Sequence, residues 1–174
     1  MVQKILFTSF DTWRSHQFSN SSDDLLDLMI KRNLLPEHCY FLRKVIVDFD
    51  LAPQHVISTM VQLEPDITIC CGMAEGRTEL SIESHGKFRD EQLATQLNLE
   101  QLLEGTIATQ ISHDAGNFVC NHLYYSVLKY IQTAKLNHHC LFLHIPMLSE
   151  KNIDTIVQDF LTIVERINIR ANLI

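Results

Sequence analysis

Cys140-Leu141-Phe142-Leu143-His144-Ile145-Pro146 is the stretch that decides the fold. A continuous apolar run of this length, closed by a proline, reads as a strand buried on both faces, and such strands sit in parallel sheets covered by helices. Further runs rich in β-branched and aromatic residues lie at 5–10, 40–47, 67–71 and 106–111, and these too are expected strands. Between them the apolar residues take helical spacing: Leu25, Leu26, Met29 and Ile30; then Val56, Ile57, Met60 and Val61; then Leu123, Val127, Tyr130, Ile131 and Ala134. A last long helix puts Ile153, Ile156, Val157, Phe160, Leu161, Val164 and Ile167 on one face. The first helix is expected to start at Ser21 or Ser22, with Asp23 and Asp24 answering its free amides. The second opens near Pro53 and stops before Pro65.

Alternating strand and helix gives an α/β chain with a largely parallel sheet and helices on both faces, with any site at the strand ends. The segment 84–105 is the least decided: 90–103 looks helical through Leu93, Leu97, Leu99 and Leu102, while 78–83 reads as strand or loop. No repeat or low-complexity linker interrupts the pattern, and 174 residues suit one domain over 1–174.

Composition narrows the function. Hydrophobic residues are 46% and charged residues 20% of the chain, a globular balance. A net charge of -7 with 14 scattered Lys and Arg speaks against a nucleic-acid partner, since phosphate neutralisation needs a basic surface. No apolar run nears the ~20 residues that span a bilayer, and the opening passes directly into strand-like sequence, so the expectation is a cytoplasmic protein without membrane contact. The five cysteines contain no CxxC pair, which suggests reduced thiols rather than disulfides or a zinc ribbon. Adjacent His138, His139 and Cys140 would alternate across a strand, so no metal site is expected there.

Cys39, Cys70, Cys71 and Cys140 fall in or beside strand-like runs and fit packing. Cys120 instead follows the turn-rich Ser112-His113-Asp114-Ala115-Gly116-Asn117 and opens a helix. There the free amides and helix dipole favour a thiolate and offer donors to an oxyanion, although position alone leans slightly to packing. His144 ends its strand where a loop begins, fit for a base or for a histidine that bonds the loop backbone. Glu83 follows a turn with Gly72 and Gly76, fit to orient an imidazole or to stand solvated in a loop. The Gly72 to Gly76 turn lacks the spacing and the Lys-Ser/Thr ending of a phosphate loop.

Four segments together resemble the pyrrolidone carboxyl peptidase (pyroglutamyl peptidase I) family. Ala115-Gly116-Asn117-Phe118-Val119-Cys120-Asn121-His122-Leu123-Tyr124-Tyr125 is similar to its AGTFVCNHLxY motif, with Asn117 in place of threonine. Gly72-Met73-Ala74-Glu75-Gly76-Arg77 with Leu80 and Glu83 resembles GxAxGRxxIxxE, and Phe142-Leu143-His144-Ile145-Pro146 resembles FIHIP. The opening Ile5-Leu6-Phe7-Thr8-Ser9-Phe10-Asp11 echoes LLTGFxPFGG, and Asn20-Ser21-Ser22 echoes NPS.

The resemblance implies an α/β/α sandwich and a cysteine peptidase that removes N-terminal pyroglutamate. It puts Cys120, His144 and Glu83 in the catalytic roles, and Phe10, Trp13, Met73, Phe118 and Val119 are expected at the substrate. It further implies no metal or organic cofactor, a peptide or small amide as substrate, and commonly a homotetramer. The departures are local. Ser9 and Thr12-Trp13-Arg14-Ser15-His16 replace the glycine-rich opening, and the stretch before Cys120 has no counterpart of ARIPDN or GNxPV. The arginine implicated in oxyanion stabilisation is therefore not carried over to Arg89.

Overall fold

The computed structural model describes residues 3–171. In chain order its elements are β1 (Ile5–Phe10), α1 (Ser21–Lys31), β2 (Cys39–Val45), α2 (Leu51–Leu63), β3 (Ile67–Met73), β4 (Leu80–Glu83), β5 (His85–Phe88), β6 (Glu91–Ala94), α3 (Leu99–Leu103), β7 (Thr109–Ser112), α4 (Val119–Ala134), β8 (His139–Ile145) and α5 (Ile153–Ala171). Six strands make one sheet in the order β2-β1-β3-β8-β4-β7. The apolar runs that read most clearly as strands, β1, β3 and β8, are its centre, and β8 is wedged between β3 and β4.

Neighbours run parallel throughout except β4, which lies antiparallel to β8 and parallel to β7. One face packs Leu25, Leu26 and Met29 of α1 and Ile156, Phe160 and Val164 of α5 against Ile5, Phe7, Ile69 and Leu141. The other packs Val56 and Met60 of α2 and Leu123, Tyr124 and Val127 of α4 against Leu6, Cys70 and Phe142. The result is a three-layer α/β/α sandwich with a mostly parallel sheet. Among the described residues no helix is long and apolar enough to cross a membrane.

Several boundaries differ from expectation, each for a physical reason. The cap of α1 is Asn20, whose side chain accepts from Ser22 N, so Ser21 and Ser22 are already helical. Helix α2 begins at Leu51, two residues before Pro53, because Asp48 Oδ1 accepts from the amides of Asp50 and Leu51. Strand β7 is later than the expected 106–111, since Ile107 N, Ala108 N and the Thr109 hydroxyl donate to buried Asp159 of α5.

The expected helix over 90–103 is mostly absent: Glu91–Ala94 forms the ribbon β5–β6, and only Leu99–Leu103 is helical. That ribbon is fixed from outside. Asn121 of α4 accepts from Lys87 N and donates to Lys87 O, both at 2.8 Å, as a neighbouring strand would. Gly86 lies flat on the same helix, where any Cβ would come within 2.5 Å of Tyr125 N.

Candidate active site

Register decides which side chains meet. Gly72 of β3 is the partner of His144 of β8, and Glu83 of β4 stands opposite Phe142. Residues two apart share a strand face, so Gly72, Phe142, His144 and Glu83 all face α4. Glu83 then reaches diagonally along β8, as long side chains can across a strand pair. His144 Nδ1 donates to its Oε1 at 2.6 Å.

Cys120, the second residue of α4, descends onto this face. The missing side chain at Gly72 leaves its space: a Cβ there would lie 2.7 Å from Cys120 Sγ and 2.9 Å from Phe142 Cζ. The sulfur thus sits over Gly72, the register partner of His144 on the neighbouring strand. Cys120 and His144 line one cavity of about 560 Å³.

Glu83, whose segment 78–83 reads from sequence as strand or loop, is the last residue of β4, with no exposure to solvent. Burial pushes its carboxyl up, but the hydrogen bond from His144, the nearby Ser112 hydroxyl and the charge of Arg77 outweigh it, so the group stays below the usual glutamate value. Arg77 Nη1 meets the same Oε1 at 2.6 Å, while Oε2 has no hydrogen bond of ordinary geometry.

Cys120 departs from expectation. Burial pushes its thiol up to about 12; its own backbone amide opposes the rise, and Cys70 and Glu83 add to it. Desolvation here outweighs the helix end, so the resting sulfur is a thiol. The amides of the first turn of α4 remain available as donors, with that of Cys120 beside the sulfur.

Phe10, Trp13, Met73, Phe118 and Val119 all line the cavity, the first from the end of β1 and the last two from the start of α4. Phe118 is 60% exposed and Trp13 48%, and their rings meet at 5.8 Å. The sequence reading missed what holds Trp13 there. Trp13 N and Arg14 N donate to Gln17 Oε1, Gln17 Nε2 donates to Glu75 Oε1 at 2.7 Å, and Arg14 Nη1 donates to Glu75 Oε2 at 3.2 Å. The Arg14 guanidinium lies over the Trp13 ring. Residues 11–18 thus form a strap latched to the loop after β3. The signal available was Glu75 itself, a carboxylate set beside Gly76 in a turn.

An α/β/α sandwich that sets a cysteine at a helix start and an imidazole on one cavity, with a buried carboxylate behind the imidazole, has the architecture of a thiol-dependent hydrolase. Comparisons with known proteins narrow this. A family model described as pyroglutamyl peptidase matches residues 91–171. The pyrrolidone-carboxylate peptidase of Brachyspira hyodysenteriae is 28% identical, over 87% of each chain. Among solved structures, Bacillus amyloliquefaciens pyroglutamyl peptidase I superposes with a TM-score of 0.78 at 22% identity, covering 92% of this chain and 94% of that one. Pyrrolidone carboxyl peptidase of Thermococcus litoralis gives 0.79 at 14% identity, covering 94% and 92%. These two likenesses speak to the fold. What the chain is similar to, in the matched segment and in its relatives, is the pyroglutamyl peptidase family.

Proposed function

We propose that this protein is a cysteine-type omega peptidase that hydrolyses the amide after an N-terminal pyroglutamate. The observation that carries the reading is the shared cavity of Cys120 and His144, with the second nitrogen of the imidazole already committed to Glu83. Because the thiol is protonated at rest, attack and proton transfer go together. The sulfur bonds to the amide carbon as its proton passes to His144 Nε2. The backbone amide of Cys120 donates to the oxyanion.

Collapse breaks the carbon–nitrogen bond, and the proton on Nε2 goes to the leaving amine. Water then attacks the thioester with His144 taking its proton, and the thiol is restored. Glu83 holds Nδ1 as the donor throughout, which leaves Nε2 free to accept. Phe10, Trp13, Met73, Phe118 and Val119 make the apolar walls for a lactam ring, whose own polar edge must be met by the chain around them. The family resemblance also supports a homotetramer, which sedimentation velocity of the purified chain tests.

Hydrolysis of a pyroglutamyl amide by the wild type and by Cys120→Ala tests the chemistry. Loss of turnover in a folded variant is expected, and equal turnover by the two refutes it. Prolyl and acetyl amides run alongside separate a pyroglutamyl enzyme from a hydrolase of other small amides.

A further inference from the structure

A carboxylate wholly out of water needs a positive charge near it, and the imidazole that orients on Glu83 supplies one only while protonated. In the cycle above His144 alternates between the two states. Each time it is neutral, the pair of His144 and Glu83 would carry an uncompensated negative charge in the interior. Arg77 stands where that charge is met. Its Nη1 is 2.6 Å from Glu83 Oε1, the very oxygen that holds His144 Nδ1 at 2.6 Å. Its Nη2 donates to Ser112 Oγ at 3.2 Å and Asp114 O at 3.0 Å, at the end of β7, so the planar fork is held from both sides.

The other groups around Glu83 do not offer a permanent cation. Ser112 is neutral, Cys120 is a thiol, His85 is held below its usual value chiefly by burial, and the Tyr124 hydroxyl donates to the backbone carbonyl of Glu83. Lys87 is committed to the carboxylate of Asp114 at 2.8 Å, and Arg77 takes the backbone carbonyl of that same residue. A guanidinium keeps its proton at any pH of interest.

We propose that Arg77 is a positioning residue of this site: it keeps Glu83 ionised and aimed while His144 gives up and regains its proton. The proposal rests on the roles given above to Cys120, His144 and Glu83. Without Arg77 the carboxyl binds a proton more readily. A protonated Glu83 donates to Nδ1 and forces the imidazole hydrogen onto Nε2, the nitrogen that must accept from sulfur. The sign follows: removing the cation raises the proton affinity of the pair, so the pH below which activity fails moves up.

The test compares wild type, Arg77→Gln and Arg77→Lys, each checked for fold by circular dichroism. Two profiles are read against pH: kcat/KM on a pyroglutamyl amide, and the rate of Cys120 alkylation by iodoacetamide with Cys120→Ala as the blank. Arg77→Gln is expected to lose on the order of 10²-fold at neutral pH and to shift the acidic limb upward in both profiles, as a wrong tautomer would. Arg77→Lys keeps the charge but not the fork, and its limb should return toward the wild type with kcat still reduced. A uniform loss at every pH, or equal behaviour of the two variants, shows a purely structural residue and overturns the proposal.

The alkylation profile needs no substrate. A shifted limb there, in a protein that leaves pyroglutamyl amides untouched, upholds Arg77 and sinks only the substrate assignment. A wild type that turns over the amide, with an Arg77→Gln limb that does not move, does the reverse. If the glutamine variant fails to fold, Arg77→Lys decides: an acidic limb still displaced part of the way upward in the alkylation profile supports the proposal, and a uniform loss or wild-type rates at all pH values overturn it.

Discussion

At position 72 a hydrogen stands where any other residue would put carbon 2.7 Å from the Cys120 sulfur. Gly72→Ala must therefore push the thiol off its seat or tilt the Phe142 ring, and a displacement of about 1 Å at a reacting atom costs on the order of 10²-fold in rate. We expect kcat/KM on a pyroglutamyl amide to fall by about that factor while the variant still folds, and a wild-type rate would show that the sulfur tolerates the shift. The same crowding explains the thiol. Half-buried between Gly72, Phe142 and the start of α4, it is raised to about 12, and the dipole of the helix does not offset the loss of water. Sequence pointed to Cys120, His144 and Glu83 as residues, but to a thiolate where the first is a thiol, and not to the depth of the last. Both depend on what closes over them, which no local motif contains.

Among elements, the ribbon and the strap depart furthest from what the sequence suggested. Leucines at 93, 97, 99 and 102 have helical spacing, yet Glu91–Ala94 pairs with His85–Phe88 because α4 supplies a better surface than a free helix would have. Asn121 is the anchor. Asn121→Ala leaves Lys87 N and Lys87 O without their partner, and we expect a loss of about 1–3 kcal/mol in denaturant unfolding, for a donor and an acceptor left unmet. By contrast β1, β3 and β8 were legible as strands, since two apolar faces leave a chain segment no other place in a sandwich. The strap was not legible: its hold is a set of charged and amide contacts between Arg14, Gln17 and Glu75, residues that in sequence look like ordinary surface. Glu75→Gln should loosen Trp13 over the cavity and raise KM several-fold with kcat nearly unchanged. An unaltered KM would mean that the ring stack of Trp13 on Phe118 suffices by itself.

For the molecule as a whole, Arg43 ties the first helix to the sheet edge through ion pairs to Asp23 and Asp27. Arg43 of β2 grips Asp23 of α1 at two points of 2.8 Å, and Ser9 of β1 donates to the same carboxylate at 2.7 Å. Burial raises the Asp23 carboxyl, and the bonds from Arg43 and Ser9 more than reverse it, so it lies below the ordinary aspartate value of 3.8. A carboxyl lowered by folding stabilises fully above its unfolded value and loses that contribution as pH falls through the folded one. Unfolding free energy should therefore decline below about pH 4, and Asp23→Asn should flatten that decline while costing about 2–3 kcal/mol at neutral pH, measured by denaturant titration at each pH. Topology sets a further condition. Strand β8, made from residues 139–145, lies between β3 and β4, which have no other common neighbour in the sheet. A nascent chain still on the ribosome at that point holds a split sheet, with Glu83 on one part and no imidazole to receive it. The imidazole therefore reaches Glu83 only once β8 has been made and inserted, and a chain cut before residue 139 is inert by construction.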